Sequence, residues 1–411
     1  MWEQIRANRI RSIMLVILMG AFLVLIGWII GIAFANNAIV GLVIALLVWG
    51  IMSLIAYFQG DSILLGVAGA KKIQPSDHQR LYDVVEEMKI ASGLGKMPDI
   101  YIIDDPALNA FATGRDADHA AVAITSGLLQ KLNRDELQGV IGHEISHIKN
   151  RDVLLMSMCG VLLGTIVILS FYASRIMMFG AIAGGGGGNR RSSSRNSGGG
   201  SGALIILVFA ILLMILAPIF AQLIYFAISR KREYLADASS ALYTRYPEGL
   251  ASALEKLAQS ATPVKAANQA TAPMYIVNPF RNKNMNVNDW TSTHPPIQER
   301  IRILRAMAGG ASYVNYDQAF RQVKNTQSGV ISDKTAAAVG VVGLRAAVAE
   351  GPVEAAPVDD KMSRTREVND MMYRMNDYTT INCECGAKLK VPPSMQGTLI
   401  KCPRCGRPHQ A

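Results

Sequence analysis

The sequence predicts a mainly α-helical α+β protein built on four transmembrane helices. Two observations carry this: long apolar runs free of charge, and segments between and after them that mix helical with short β-type periodicity. Half of the 411 residues are hydrophobic, which is high for a soluble chain, and the excess is local. Ile13 to Ala35, Ala38 to Phe58, Val153 to Ala173 and Ala203 to Ser229 contain no charged residue, and each reaches the roughly 20 residues needed to cross a hydrocarbon core. One such run can be a buried soluble helix; four in one chain indicate a bilayer. Ala33-Phe34-Ala35, after Arg6, Arg9 and Arg11, resembles a signal-peptide cleavage site. The apolar run exceeds the usual ~7–15-residue signal core, however, and only Asn36 and Asn37 precede the second run. Residues 1–58 therefore read as a retained transmembrane hairpin and 153–229 as a second, with Pro218 placed to kink its last helix.

A net charge of +10 invites a nucleic-acid reading, yet much of the excess flanks the spans. Arg6, Arg9 and Arg11 precede the first, Lys71 and Lys72 follow the second, Lys149 and Arg151 precede the third, and Arg230, Lys231 and Arg232 follow the fourth. The positive-inside rule then places both termini and the soluble segments in the cytoplasm, so a multi-pass protein of the inner, cytoplasmic membrane is expected and nucleic acid is not. The loop between spans three and four argues the other way, with Arg175, Arg190, Arg191 and Arg195 and no acid. Three of those arginines lie in a Gly/Ser-rich stretch, 184–202, of linker composition. A second hairpin that does not fully cross is the open alternative.

Residues 59–152 form a mixed segment. Asp77 to Ala91 has helical spacing, Ile100 to Ile103 and Ala120 to Ile124 are β-type runs, and Arg134 to Asn150 is a helix with Asn133 as its N-cap. A second soluble part, 230–327, is helical in pattern. Residues 328–380 are rich in Ala, Val, Gly and charge without a sustained apolar period, which predicts a low-complexity linker, and 381–411 form a separate cysteine unit.

The chemistry centres on His143-Glu144-Ile145-Ser146-His147. On a helix, positions i and i+4 face the same way, so His143 and His147 can bind one zinc while Glu144 reaches a water beside it, the arrangement of a zinc protease. Leu137, Val140, Ile141, Ile145 and Ile148 make this helix a buried one, and buried polar groups need partners. A catalytic zinc takes three protein ligands. Glu233 is the candidate third ligand, and Asp237, one turn on, is placed to hydrogen-bond a ligand histidine's other ring nitrogen.

The chain resembles the HtpX-type membrane zinc endopeptidases, HEXXH gluzincins related to the CAAX prenyl endopeptidases. The matching residues are Asn109 to Gly114, His143 to His147 with Asn150-Arg151-Asp152, Arg232 to Asp237, and Thr293-His294-Pro295-Pro296 with Glu299-Arg300. With the spans they cover roughly residues 1 to 310, in family order. The resemblance implies a zincin-like catalytic domain with Glu233 as third ligand, Asn109 near the substrate cleft and Ala120 to Ile124 as an edge strand that pairs with substrate backbone. It also places His294 near the site as a catalytic residue, a donor to the tetrahedral oxyanion. Polypeptide substrates including membrane proteins, and a role in protein quality control, follow from the resemblance alone. A dedicated CAAX-type processing protease, or a non-catalytic membrane adaptor, is the alternative reading.

Cys383-Glu384-Cys385 and Cys402-Pro403-Arg404-Cys405 present two close pairs of thiols, resembling a zinc ribbon that closes on a second, structural zinc. The first pair departs from the usual spacing by one residue. Disulfides are the alternative, disfavoured in a reducing cytoplasm. The ribbon's partner is not readable from the sequence.

Overall fold

The structure, a computed structural model, describes residues 37–158, 230–260, 262–267, 271–280, 294–307, 309–331, 342–345 and 360–410, with short runs between 10 and 31 and residue 161. The expected fourth span and the Gly/Ser-rich loop lie outside the described residues, as do most of the third span and much of the first. Among the described residues one helix, α1 (Ala38–Val67), is long and apolar enough to cross a membrane. Asn37 caps it by accepting from Ile39 N. Its first half turns apolar side chains outward, and Trp49 Nε1 donates to Val16 O of the preceding apolar stretch. The expected boundary at residue 58 is not an element end. The helix runs on to Val67, and its last turns bury Leu64 and Leu65 against Ile103, Phe111 and Tyr275 of the soluble part.

Beyond α1 the chain forms β1 (Ala70–Lys72), α2 (Gln79–Ser92), β2 (Asp99–Ile103), β3 (Ala110–Asp116), β4 (His119–Thr125), α3 (Ser126–Lys131) and α4 (Arg134–Lys149). The four strands make one sheet in the order β1-β2-β4-β3. β2 and β4 run parallel, while β1 pairs antiparallel with β2 and β3 antiparallel with β4, Phe111 opposite Ala123. This corrects one expectation: Ala120 to Ile124 is an interior strand, and the edge strand on its side of the sheet is β3. Period-2 spacing identifies a strand but not its neighbours; the hairpin turn at Ala117-Asp118 folds β3 onto β4's free side.

The second soluble part supplies α5 (Arg230–Thr244), α6 (Pro247–Gln259), α7 (Ile297–Arg305) and α8 (Tyr313–Lys324). With α2, α4 and one face of the sheet they enclose a single apolar core that draws Leu81 and Val85 from α2, Val122 from β4, Val140 and Ile141 from α4, and Leu254 from α6.

The expected linker at 328–380 also needs correction. Val330 and Ile331 are buried, their N–H groups donating to Asp317 Oδ1, and Lys361–Met375 is a helix, α9, capped by Asp360. Val368, Met371, Met372 and Met375 repeat at helical spacing, and the first two are fully buried in the main core. That short apolar stripe lies in a polar, charged context, so averaging over the segment hides it. Arg364 and Asn369 bond to Gln130 of α3, Arg374 donates to Asp77 O, and Lys71 reaches Asn376. The last residues form two antiparallel hairpins, β5 (Thr379–Asn382) with β6 (Lys388–Val391) and β7 (Leu399–Lys401) with β8 (Pro408–Gln410).

Because Met371 fills the core, Met371→Ala is expected to destabilise the soluble part by about 2–5 kcal/mol through lost transfer free energy and a residual cavity. Chemical denaturation of the full chain in detergent, followed by tryptophan-independent circular dichroism, reads this. An unchanged midpoint would mean that α9 does not pack on the main core.

Candidate metal centre

α4 begins with a capping box: the Asn133 side chain accepts from Glu136 N, and the Glu136 carboxylate accepts from Asn133 N. Its buried length then carries His143, Glu144 and His147 in turn. α5 crosses α4 at Gly142, and the adjoining α6 packs on it at Gly139, where α4 has no side chain. A Cβ on Gly139 would lie 2.6 Å from Leu250 N and one on Gly142 3.2 Å from Ser240 Oγ, and Ser240 Oγ donates to Gly139 O at 2.6 Å. This close approach brings Glu233 onto the histidine face of α4.

The ligand atoms converge. His143 Nε2 and His147 Nε2 are 3.2 Å apart, Glu233 Oε2 is 3.7 Å from the first and Glu233 Oε1 is 3.6 Å from the second. A tetrahedral ion with bonds of ~2.0–2.1 Å separates its ligand atoms by about 3.3 Å. Each histidine's other nitrogen is engaged: His143 Nδ1 lies 3.0 Å from Asp237 Oδ1, and His147 Nδ1 lies 3.0 Å from Asp152 Oδ2. Ionised carboxylates only accept, so both Nδ1 atoms carry the proton and both Nε2 lone pairs point at one another. Two buried acceptors at that separation repel unless a cation lies between them. The charge balance agrees. The buried carboxylates of Asp152, Glu233 and Asp237 outnumber the buried guanidiniums of Arg232 and Arg300 that face them, and with neutral imidazoles a cation makes up the difference. The residues fit a zinc ion.

Titration follows these contacts. Burial pushes the Glu144 carboxyl up to about 7, against the pull of His147 and the Ala112 N–H of β3; neither oxygen makes a hydrogen bond of good geometry. Burial lowers His143 to about 4, with Asp237 opposing. Burial acts the same way on His147, but Asp152 and Glu233 outweigh it and raise that imidazole to about 9 where no cation shares the site; a cation held between the ligands takes the place of the Nε2 proton. Glu233, despite burial, is held well below the carboxylate range by His294 and Arg300, and Asp237 is lowered chiefly by Arg300.

The structure places His294 Nδ1 3.2 Å from Glu233 Oε2. Asn109 is buried at the start of β3, where its side chain donates to Val277 O and accepts from Ala110 N, while Ile276 N donates to Ala110 O. These bonds hold Asn109 beside the edge strand β3. Two further residues belong to the centre although the motif reading assigned them no role. Asp152 sits five residues beyond His147, just past the helix end, where the turn at Arg151 (φ 57°) returns it to the imidazole. Arg300 grips Asp237 through two hydrogen bonds, of 2.8 and 2.6 Å, and donates to Ile276 O. The turn at Arg151 reveals the one, and the packing of α7 against α5 the other.

The four tail thiols also converge. Cys383 Sγ lies 3.4 Å from Cys405 Sγ and from Cys385 Sγ, and Cys385 Sγ lies 3.7 Å from Cys402 Sγ. Disulfide sulfurs stand ~2.05 Å apart, whereas four thiolates on a tetrahedral zinc, at ~2.3 Å each, stand about 3.8 Å apart. Left-handed Gly386 (φ 82°) and Gly406 (φ 75°) close each turn by donating to Cys383 O and Cys402 O. This set could hold a second metal, and the shortened Cys383-Glu384-Cys385 spacing does not prevent it.

The profile of the family described as Peptidase family M48 matches residues 75–308. A "Protease HtpX homolog" of Dictyoglomus turgidum is 44% identical over 274 residues, covering 65% of this chain and 82% of its own length. One from Dictyoglomus thermophilum is 42% identical over 312 residues, covering 74% and 94%, and one from Lactobacillus helveticus is 39% identical over 307 residues, covering 75% and 100%. The crystal structure of S. mikatae Ste24p aligns at 20% identity and a TM-score of 0.41 over 74% of this chain and 67% of that one.

Asp152→Asn and Asp237→Asn should each weaken zinc at the histidine site by about 10–100-fold, since a carboxamide no longer fixes the imidazole tautomer or raises its basicity. Competition with a chromogenic chelator measures this. Wild-type affinity in both variants would remove these carboxylates from the centre.

Proposed function

The chain belongs to peptidase family M48 and is a metalloprotease, and on that premise we propose that it is a membrane-integrated zinc endopeptidase of protein quality control. His143, His147 and Glu233 are its zinc ligands in this reading. What carries it is the pair of buried Nε2 lone pairs facing one carboxylate, with Glu144 alongside. When bound there, zinc supplies Lewis acidity to the scissile carbonyl and acidifies water toward a pKa of ~7.

The protein's own groups do the rest. Glu144, buried, with its carboxyl near 7, takes a proton from the attacking water and returns it to the leaving amine nitrogen. Asp237 and Asp152 hold the protons on the two Nδ1 atoms, and Arg300 fixes Asp237. His294, beside Glu233, is the proposed donor to the tetrahedral oxyanion. The substrate backbone adds to the edge of β3 at Ala112, beside Glu144. Pairing through main-chain groups tolerates many side chains, which suits clearance of damaged proteins.

The membrane placement keeps the four spans, with the catalytic parts 59–152 and 230–327 in the cytoplasm next to the inner membrane. Membrane-protein segments are then within reach of β3. The tail beyond residue 381 is proposed as a zinc ribbon holding the second ion.

Glu144→Gln should retain both zinc ions yet lose peptide-bond cleavage, because the ligands survive and the base does not. Cys383→Ser should lose one ion and keep the other. Elemental analysis alongside cleavage of an unfolded protein reads both; normal cleavage by Glu144→Gln would falsify the assignment of the base. In cells, the same variant should retain a broad set of polypeptides. Retention of a single protein would point to dedicated processing instead.

A cysteine at Ser194 should react with a membrane-impermeant thiol reagent in intact cells, above the level of the unsubstituted chain, and one at the exposed Lys131 should not. The opposite pattern would invert the topology. Reaction at neither position would indicate a second hairpin that stays inside.

A further inference from the structure

Residues 342–345, Val342-Gly343-Leu344-Arg345, lie outside the family match at 75–308 and still have a defined place on the catalytic domain. They run as an extended peptide across the seam between its two sequence-distant halves. Ala311 N donates to Val342 O, Arg345 N donates to Arg245 O, both at 2.8 Å, and Arg245 Nε donates to Gly343 O at 3.0 Å. The Arg345 guanidinium lies 2.5 Å from Asp135 Oδ1, reaches Gln138 Oε1 at 3.4 Å and stands 5.2 Å over the Tyr246 ring. Leu344 is exposed, Gly343 offers no side chain, and Val342 is half-buried. Recognition therefore reads backbone groups plus one cation, the pattern of an extended-peptide site rather than of a packed core.

The receiving surface is built for this. Arg245 follows the end of α5 in the left-handed region, φ 52°, where glycine or asparagine is the usual occupant. That conformation aims both its carbonyl and its guanidinium at the peptide. Asp135 stands in the first turn of α4, and Tyr246 supplies the ring face that guanidinium groups favour.

We propose that Asp135, Gln138, Arg245, Tyr246 and Ala311 form a docking site for an extended, arginine-bearing peptide, and that the chain's own 342–345 segment is its resident ligand. Tethering makes the interaction intramolecular, so contacts too weak for capture of a free peptide suffice. Asp135 and Gln138 belong to the helix that carries His143 and His147, whereas Arg245 and Tyr246 follow the helix that carries Glu233. The docked segment is thus a cross-tie between the halves that supply the zinc ligands.

Amide hydrogen exchange on the full chain in detergent tests this, because the Ala311 and Arg345 amides are the donors in the two backbone bonds. In the wild type, both amides should be protected. Arg345→Ala, on the ligand side, and Asp135→Asn, on the receiving side, should each speed exchange at both positions about tenfold or more. Exchange in α7 should stay unchanged, which separates undocking from general unfolding. Exchange of Arg345 at the unstructured rate in the wild type would overturn the proposal. So would wild-type protection at Ala311 in either variant.

Discussion

Everything in the centre depends on how closely α5 and the adjoining α6 can approach α4. Gly139 and Gly142 leave backbone where side chains would stand, and Ser240 fills the contact with a hydrogen bond to Gly139 O. Only at that separation does Glu233 come within 3.7 Å of both imidazole Nε2 atoms. A methyl group at Gly139 would overlap Leu250 backbone at the start of α6, and backbone cannot rotate away as a side chain can.

The second constraint is electrostatic. Burying so many charges costs more than hydrophobic packing returns unless each finds a partner. The structure meets this with a chain of contacts from Ile276 O through Arg300 to Asp237 and His143, and a second from Arg232 through Asp152 to His147. The two chains converge on the same pair of Nε2 atoms from opposite sides. Glu144, by contrast, has burial without a full partner, and its raised proton affinity follows from that isolation.

The C-terminal tail has a larger part than its composition implies. Val330 and Ile331 cap Asp317, Arg345 clips onto α4 and the end of α5, and Val368 and Met371 close the core beside α3. Lys390 then joins the cysteine unit to α9 through Asp370 and the Tyr373 ring. The thiol cluster is therefore attached to a helix that is itself part of the catalytic core.

The sequence by itself determined the elements whose signal is local. Helical spacing of His143, Glu144 and His147, the cap at Asn133, the strands at Ile100 to Ile103 and Ala120 to Ile124, and the paired cysteines are all set within a few residues of one another. The candidacy of Glu233 and Asp237 also rested on a one-turn spacing. Only the tertiary structure decided that β3 rather than β4 is the edge strand, because strand neighbours depend on how a hairpin folds against a distant partner. It likewise decided the roles of Asp152 and Arg300, whose side chains reach the centre through a turn at Arg151 and through the packing of α7 on α5, and not through any repeat. The helix at 361–375 was visible as an apolar stripe only once a surface to bury it existed, since a few methionines in a charged segment favour a helix only when packing completes it.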